Sequence, residues 1–403
     1  MSSVFTWLDQ SDQQRRKVLD LLAMFKERET VDELGLGSIR DAFADILFPG
    51  TSAPQTRARY FLFVPWMYLQ FERKKVSSAE IRARARRFEL DLIDHLLDTG
   101  ETDGVIGKVA RRNLQRLPSN IYWSGLRRLG IFLGGGSQDQ YHASLDNFYQ
   151  RKPDLRTDDG DAPFGRHRNW HHQVPIPPDR FDADPILALR PCEAEYLRDQ
   201  IQLSAPQSLF AAIVRERFAP DPNEAFPWDK ARYLGYSPTI AWQLQHARNF
   251  SEVMRGAALL YNLILAELTK NDELRAEYEQ GMQQWARMLE TRASDLRGWQ
   301  LDDLWRCAES EGARIGLPTK TFVTDWCREA LHEGTPAVAR SKRARDLVER
   351  RERALKRKLA RVDNQRARER YNGAAGTLPL SYRWANASRI AADIIEAAGR
   401  NDA

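Results

Sequence analysis

The chain has 403 residues, 42 % of them apolar, so it exceeds one typical domain and can bury a sizeable core; two or three compact bodies are expected. Three scattered cysteines, Cys192, Cys307 and Cys327, form no C-x-x-C pair, which argues against a disulfide framework or a structural zinc site and fits a reducing cytoplasm. The net charge is only +5, yet Gly104–Gln138 carries six basic residues and no acid, Ala337–Arg370 carries 14 basic and 5 acidic residues, and the remainder sums to −10, a distribution expected of a protein that touches a polyanion.

From the start of the chain, MSSVFTWLDQSDQQRRK has no apolar h-region, so no secretion signal is expected. Asp12–Lys26 has helical periodicity through Val18, Leu21, Leu22, Met24 and Phe25. A second helix is expected from Ser38, with Ile39, Ala42, Phe43, Ile46 and Leu47 on one side and Pro49-Gly50 ending it. Ser52-x-x-Gln55 has capping-box spacing and Pro54 is tolerated in a first turn, which predicts a helix opening there. The densest aromatic cluster follows: Tyr60, Phe61, Phe63, Trp66, Tyr68 and Phe71. At 12 residues, with Pro65 and Gln70 inside, Tyr60–Phe71 is too short to span a bilayer and reads as a core helix flanked by Arg57 and Arg59. Ser78–Leu97 is a further amphipathic helix with a mixed-charge, solvated face.

The basic stretch Gly104–Leu133 organises the first half. Val105, Ile106, Val109 and Leu114 predict a short helix that breaks at Leu117-Pro118. Ser119 then stands as the N-cap of a second helix carrying Ile121, Tyr122, Leu126 and Leu129, which Gly130 stops, and Ile131–Leu133 is β-compatible. Helix, turn, helix, strand is the order of a winged helix-turn-helix, whose second helix enters the DNA major groove. On that reading Asn120, Tyr122, Trp123 and Arg127 reach the duplex, Arg111, Arg112 and Arg116 sit on phosphates, and Lys108 and Arg128 complete the basic surface. A helical hairpin with a basic solvated face is the plainer alternative.

Gly134-Gly135-Gly136 lacks the lysine-serine or lysine-threonine pair of a P-loop and the spacing of a dinucleotide fingerprint, so it reads as a turn, and no cofactor is expected. From about Gln150 to Pro191 the chain is rich in Pro, Asp, Gly and Arg, the best candidate for a boundary or a long loop. Asp154, Asp158, Asp159, Asp161, His167, His171 and His172 fall here, and carboxylates with imidazoles can hold a divalent cation that activates water. The general-base glutamate of the metalloprotease motif is missing, the His167-to-His171 spacing needs a helix that the composition disfavours, and a solvated loop is the plainer account.

From Cys192 onward apolar residues recur every three to four positions: Glu193–Ile201, Pro206–Phe218, Ser237–Phe250, Ser251–Leu268, Asp272–Arg292, Leu301–Glu311 and Thr321–His332 are predicted helices. Val338–Arg370 reads as a long basic helix with a narrow stripe of Val348, Leu355 and Val362, with Leu347 and Leu359 beside them, supported by Glu349-Arg353 and Glu352-Lys356 pairs. Its Arg350, Arg353, Lys356, Arg357 and Lys358 form a second candidate phosphate-contact surface; packing of the stripe on a bundle is the alternative. A final amphipathic helix, Ser388–Ala398, is docked by Tyr382, Trp384, Ile390 and Ile394.

VDELGLGSIRDAFADILFPGTSAPQTRARYFLFVPWMY, LPSNIYWSGLRRLGI and the closing SYRW together resemble an uncharacterised family of bacterial proteins of about this length, described as a domain of unknown function. That resemblance covers most of the chain and implies an antiphage defence setting, in gene neighbourhoods that also encode helicases and phospholipase D-like nucleases; it implies no activity and no functional residues.

The expectation is a mainly α-helical protein: an N-terminal helical region with a winged-helix-like unit (1–149), a loop-rich linker (150–191) and a C-terminal helical domain (192–403) with a long basic helix. The expected role is non-catalytic DNA binding or scaffolding in a cytoplasmic, multi-protein defence complex, with DNA and a helicase or nuclease as partners and no membrane. A metal-dependent nuclease using Asp158–His172, or an adaptor that binds protein only, are the alternatives.

Overall fold

The computed structural model describes residues 32–150, 168–217, 220–221, 224–229, 236–332, 335–371 and 373–399; the expected Asp12–Lys26 helix lies outside them. Regular structure among the described residues is helical, as the three-to-four-residue apolar spacing requires. In chain order the helices are α1 Gly37–Leu47, α2 Tyr60–Arg73, α3 Ile81–Asp98, α4 Pro118–Arg128, α5 Gln138–Gln150, α6 Pro191–Ser204 and α7 Leu209–Arg215. They continue with α8 Pro238–Leu268, α9 Asp272–Thr291, α10 Ala293–Arg297, α11 Leu301–Ala308, α12 Leu317–His332, α13 Lys342–Lys356, α14 Gln365–Arg368 and α15 Trp384–Gly399. No described helix is long and apolar enough to cross a membrane. The chain divides into two compact units, each discontinuous in sequence: Phe43–Gln245 with the segment from Ser381, and the segment up to Ala42 with His246–Leu380. That division cuts across the sequential 1–149, 150–191 and 192–403 segments.

In the 43–245 unit the centre is α2, apolar on every side and therefore buried all round, from Tyr60 to Tyr68 and again at Phe71. Tyr122 of α4 lies on Phe61 at 4.8 Å and Tyr60 at 5.4 Å, and Tyr68 stacks on Trp170 at 5.7 Å. The described part of the expected linker, residues 168–190, runs along α2 as part of this unit. Phe181 meets Trp66 at 5.2 Å, and the Trp66 indole N–H donates to the Pro175 carbonyl at 2.7 Å. Under it sits an ion pair almost without solvent: Arg59 Nη2 donates to Glu193 Oε1 at 3.0 Å, with the side chains 2 % and 0 % exposed. The C-terminal helix α15 packs on α6 and α7. It is pinned by Asp393, which accepts from Arg57 Nε at 3.0 Å and the Ala58 N–H at 2.8 Å, and by Asn386, whose amide donates to the carbonyls of Ala53 and Gln55 at 2.9 and 2.7 Å.

Three sequence expectations in this unit are corrected. Ser52 and Gln55 do pair, the Ser52 N–H donating to Gln55 Oε1 at 3.1 Å, but they close a turn, and the helix opens only at Tyr60. The first helix of the proposed helix-turn-helix is absent, because Gly104, Gly107 and Arg111 have φ of 83°, 81° and 46°, left-handed positions that no α-helix can include. Only a short 3-10 turn, Arg111–Asn113, remains of it. The strand expected at Ile131–Leu133 is reduced to a single antiparallel bridge, Phe132 to Trp170, so no wing forms.

The 246–380 unit is built on the His246–Leu268 part of α8, which is one helix of 31 residues where two were expected, since nothing in Asn249-Phe250-Ser251 breaks it. Gly256 lets α9 cross closely, for a Cβ there would lie 2.2 Å from the Trp285 ring. The basic segment forms the 15-residue helix α13, with Ser341 Oγ capping the Ala344 N–H at 3.2 Å. The single long helix expected over Val338–Arg370 ends at Lys356: Arg357 has φ 52° and ψ −122°, and a 3-10 turn, Arg357–Leu359, follows.

Candidate nucleic-acid interface

In the Gly104–Leu133 stretch, α4 starts at Pro118, whose missing N–H suits a first helical position, and Asn120 Oδ1 accepts the Leu117 N–H at 3.2 Å. Asn120 is therefore a capping residue; its amide also reaches Gln138 Oε1 at 2.5 Å. Two expected base contacts are overturned. Tyr122 is fully buried, its hydroxyl accepting the Thr56 N–H at 2.9 Å and donating to the Arg57 carbonyl at 2.8 Å, and burial pushes its pKa up. Trp123 is buried against Phe132 at 4.5 Å and Tyr141 at 5.5 Å. Both rings are core because α4 turns its aromatic face toward α2.

The basic side chains of this stretch divide. Arg112 reaches Asp91 at 2.9 Å and Asp94 at 2.7 Å, and Arg111 reaches Asp94 at 3.4 Å; the hydrogen bond to Asp91 raises the Arg112 pKa. Lys108 donates to the Thr102 carbonyl at 3.2 Å and Arg128 to the Ser204 carbonyl at 3.4 Å. Arg116 and Arg127 are exposed and have no carboxylate partner among the described residues.

On α13 the buried face is Ala344, Leu347 and Val348 together with two charged residues, Arg351 and Glu352. Arg351 donates to the carbonyls of Leu34, Gly35 and Pro318 at 2.8, 3.1 and 3.1 Å and lies over Phe322, and burial lowers its pKa. Glu352, 0 % exposed, accepts from Tyr261 Oη at 2.6 Å, Lys356 Nζ at 3.0 Å and the N–H groups of Arg361 and Val362 at 2.9 and 3.0 Å. Two of those donors lie just past the turn, so Glu352 clamps its exit. Lys356 is half-buried against Glu33 as well; burial and Arg361 pull its pKa down to about 8, while the two carboxylates hold the ammonium form. Arg353 is bound by Asp363 at 2.8 Å and Glu349 at 3.0 Å, and the hydrogen bond to Asp363 raises its pKa. Of the five cations expected here, Arg353 and Lys356 are thus neutralised within the protein. Arg350 is exposed and donates only to its own helix, at the Asp346 carbonyl.

Arg357 and Lys358 border an open depression of about 770 Å³ together with Asp363, Asn364, Gln365, Arg366 and Glu369. Asp363 is satisfied by Arg353, and Asn364 is spent locally, its amide on the Lys358 carbonyl at 2.8 Å and its oxygen on the Ala367 N–H at 3.0 Å. Arg357, Lys358 and Arg366 are exposed and have no carboxylate partner among the described residues; Glu369 is the one acid of the rim that is likewise unpaired. Arg366 was not among the expected contacts. Its position is set by Asn364 capping α14, a cap that reads from the sequence only once the long helix is known to end.

Of the metal-ligand candidates, Asp154, Asp158, Asp159, Asp161 and His167 lie outside the described residues. His171 and His172 have ring centroids 4.6 Å apart, and His171 lies 5.7 Å from Tyr196. No three His, Cys, Asp or Glu side chains among the described residues converge on a common point.

A second polar assembly, unforeseen in the sequence, crosses the core of the 43–245 unit. Glu89, 2 % exposed, accepts the Ser119 N–H at 2.6 Å and its hydroxyl at 2.9 Å. The Gln138 amide donates to Ser119 Oγ at 2.8 Å and to Tyr68 Oη at 2.6 Å, and Tyr68 meets His142 Nε2 at 2.8 Å. Burial pushes Glu89 up to about 7 and His142 down to about 4. The chain joins α2, α3, α4 and α5, and the small void that Glu89 borders with Phe88 and Pro118 has no room for a water.

Over residues 1–398 the chain matches, and belongs to, a family of unknown function, DUF6361. No curated protein and no solved structure matches it.

Proposed function

We propose that this protein is a non-catalytic nucleic-acid-binding component of a bacterial antiphage defence complex, holding phosphate backbones through the basic rim of the 246–380 unit. The observation that carries the reading is the state of Arg357, Lys358 and Arg366: three exposed cations around an open depression without carboxylate partners among the described residues, in a segment where Arg353 and Lys356 are neutralised internally. Cations left free at one rim are available to displace counterions from a polyanion. Arg116 and Arg127 of the 43–245 unit add exposed charge of the same kind. The defence setting rests on the sequence resemblance alone.

The test is an anisotropy titration of a labelled duplex across a salt series. Three phosphate contacts give a slope of log K against log salt of about −2.7, or an affinity loss of about 40-fold between roughly 50 and 200 mM salt. Replacing Arg357, Lys358 and Arg366 together by glutamine is expected to remove most of that slope. Binding that ignores salt, or a triple variant with the wild-type slope, would refute the reading.

A further inference from the structure

Leu359 is 69 % exposed at the end of the 3-10 turn that carries Arg357 and Lys358. The turn is held from both sides. It is entered through Arg357 at φ 52°, a left-handed position that a side-chain-bearing residue occupies only when its surroundings enforce it. It is left through the Glu352 clamp on the Arg361 and Val362 N–H groups, at 2.9 and 3.0 Å, and the Lys358 carbonyl is tied to the Asn364 amide at 2.8 Å. A solvated connection needs neither an enforced left-handed residue nor a buried carboxylate spent on its backbone. The result is an apolar tip, rigidly presented, directly beside two cations that lack carboxylate partners among the described residues.

We infer that Leu359 is a wedge that enters between bases, and that the preferred ligand is a duplex interrupted by an unstacked step such as a bulge. This rests on the nucleic-acid reading above and names its substrate class. Flanking cations fix a phosphate backbone on the turn, which leaves the leucine facing the base stack. Apolar side chains inserted at base steps are a known means of gripping bent duplexes. The magnitude selects the ligand: burying the exposed part of one leucine is worth roughly tenfold in affinity, less than opening an intact base step demands, so the wedge selects a step that is already open.

The experiment compares an intact short duplex, the same duplex carrying an internal bulge and the component single strands, with 2-aminopurine beside the bulge as a stacking reporter. The wild type is expected to prefer the bulged duplex about tenfold and to change the 2-aminopurine signal. Leu359→Ser, a surface change, loses the preference and the signal while keeping the intact-duplex affinity and the salt slope; Leu359→Met keeps all of them. Arg357→Gln with Lys358→Gln lowers both affinities and the slope but leaves the preference. A Leu359→Ser protein that retains the preference, or a wild type that favours single strands over the bulge, overturns the wedge while the backbone-binding reading stands. Absence of salt-dependent binding to any of these ligands overturns both.

Discussion

Replacing Glu89 by glutamine is expected to stabilise the 43–245 unit, by an amount that grows with pH. Glu89 is buried without an ion-pair partner among the described residues; its two oxygens accept only from Ser119, and burial raises its pKa from 4.5 to about 7. A carboxyl whose folded pKa lies above its unfolded value contributes fully to stability below the unfolded pKa and loses that contribution as pH rises through the folded one. The whole loss for this shift is about 3 kcal/mol. Glutamine has the shape and hydrogen-bonding pattern of the protonated acid: its oxygen takes the Ser119 N–H and its amide donates to Ser119 Oγ. The variant therefore reproduces the low-pH protein and ceases to titrate. Its advantage over the wild type is expected to be about 1 kcal/mol near pH 5.5 and about 3 kcal/mol near pH 8, read from urea unfolding followed by tryptophan fluorescence. His142, held down at about 4, is neutral in both folded proteins through that window; the proton it takes up on unfolding at the acidic end gives the two proteins the same slope, which cancels in their difference. A gap between the two proteins that stays flat with pH, or a wild type that is the more stable at pH 8, would refute the reasoning.

Glu193→Gln strands the Arg59 guanidinium in a dry site and is expected to cost about 3–5 kcal/mol, seen as a lowered urea midpoint, with Arg59→Met on the same background recovering much of it. Gly125→Ala would place a Cβ 2.3 Å from the Gly50 carbonyl and 2.8 Å from Phe61, and since a backbone oxygen cannot step aside, thermal unfolding should report a loss of about 1–3 kcal/mol or more. Arg357→Gly relieves the left-handed strain and is expected to raise stability by about 1 kcal/mol while lowering the salt slope of nucleic-acid binding by about 0.9, so that calorimetry and anisotropy move in opposite directions.

Where local composition decides the structure, the sequence was legible. Tyr60–Phe71 is apolar on every side and forms the buried helix that this pattern demands, and Gly130, at φ 66°, ends the α4 region where a glycine stop was expected. The Glu349-Arg353 and Glu352-Lys356 pairs form at 3.0 Å each, although in the second Glu352 is fully buried and Lys356 half-buried. Where distant residues decide, it was not. Tyr122 and Trp123 beside arginines look like base-stacking residues until Phe61, Tyr141 and the turn at Thr56–Arg57 enclose them. Arg111 and Arg112 look free until Asp91 and Asp94 come near across α3. The basic helix lacks any glycine or proline at Arg357, so its end follows from the clamp that Glu352 and Tyr261 build, not from a local stop signal.

The interleaved order of the two units sets a timetable for synthesis. Asp393 and Asn386 are the partners of the Ala58 N–H and of the Ala53 and Gln55 carbonyls, so those groups stay unsatisfied until the last helix is translated. Gln245 and Ser381 are separated by the 135 residues His246–Leu380 of another folding unit, which at about 5–20 residues per second means a delay of roughly 7–27 s. For that interval the aromatic-rich body waits on the ribosome with an uncovered seam, and a nascent-chain chaperone that shields such seams would determine how much of the protein reaches its native state.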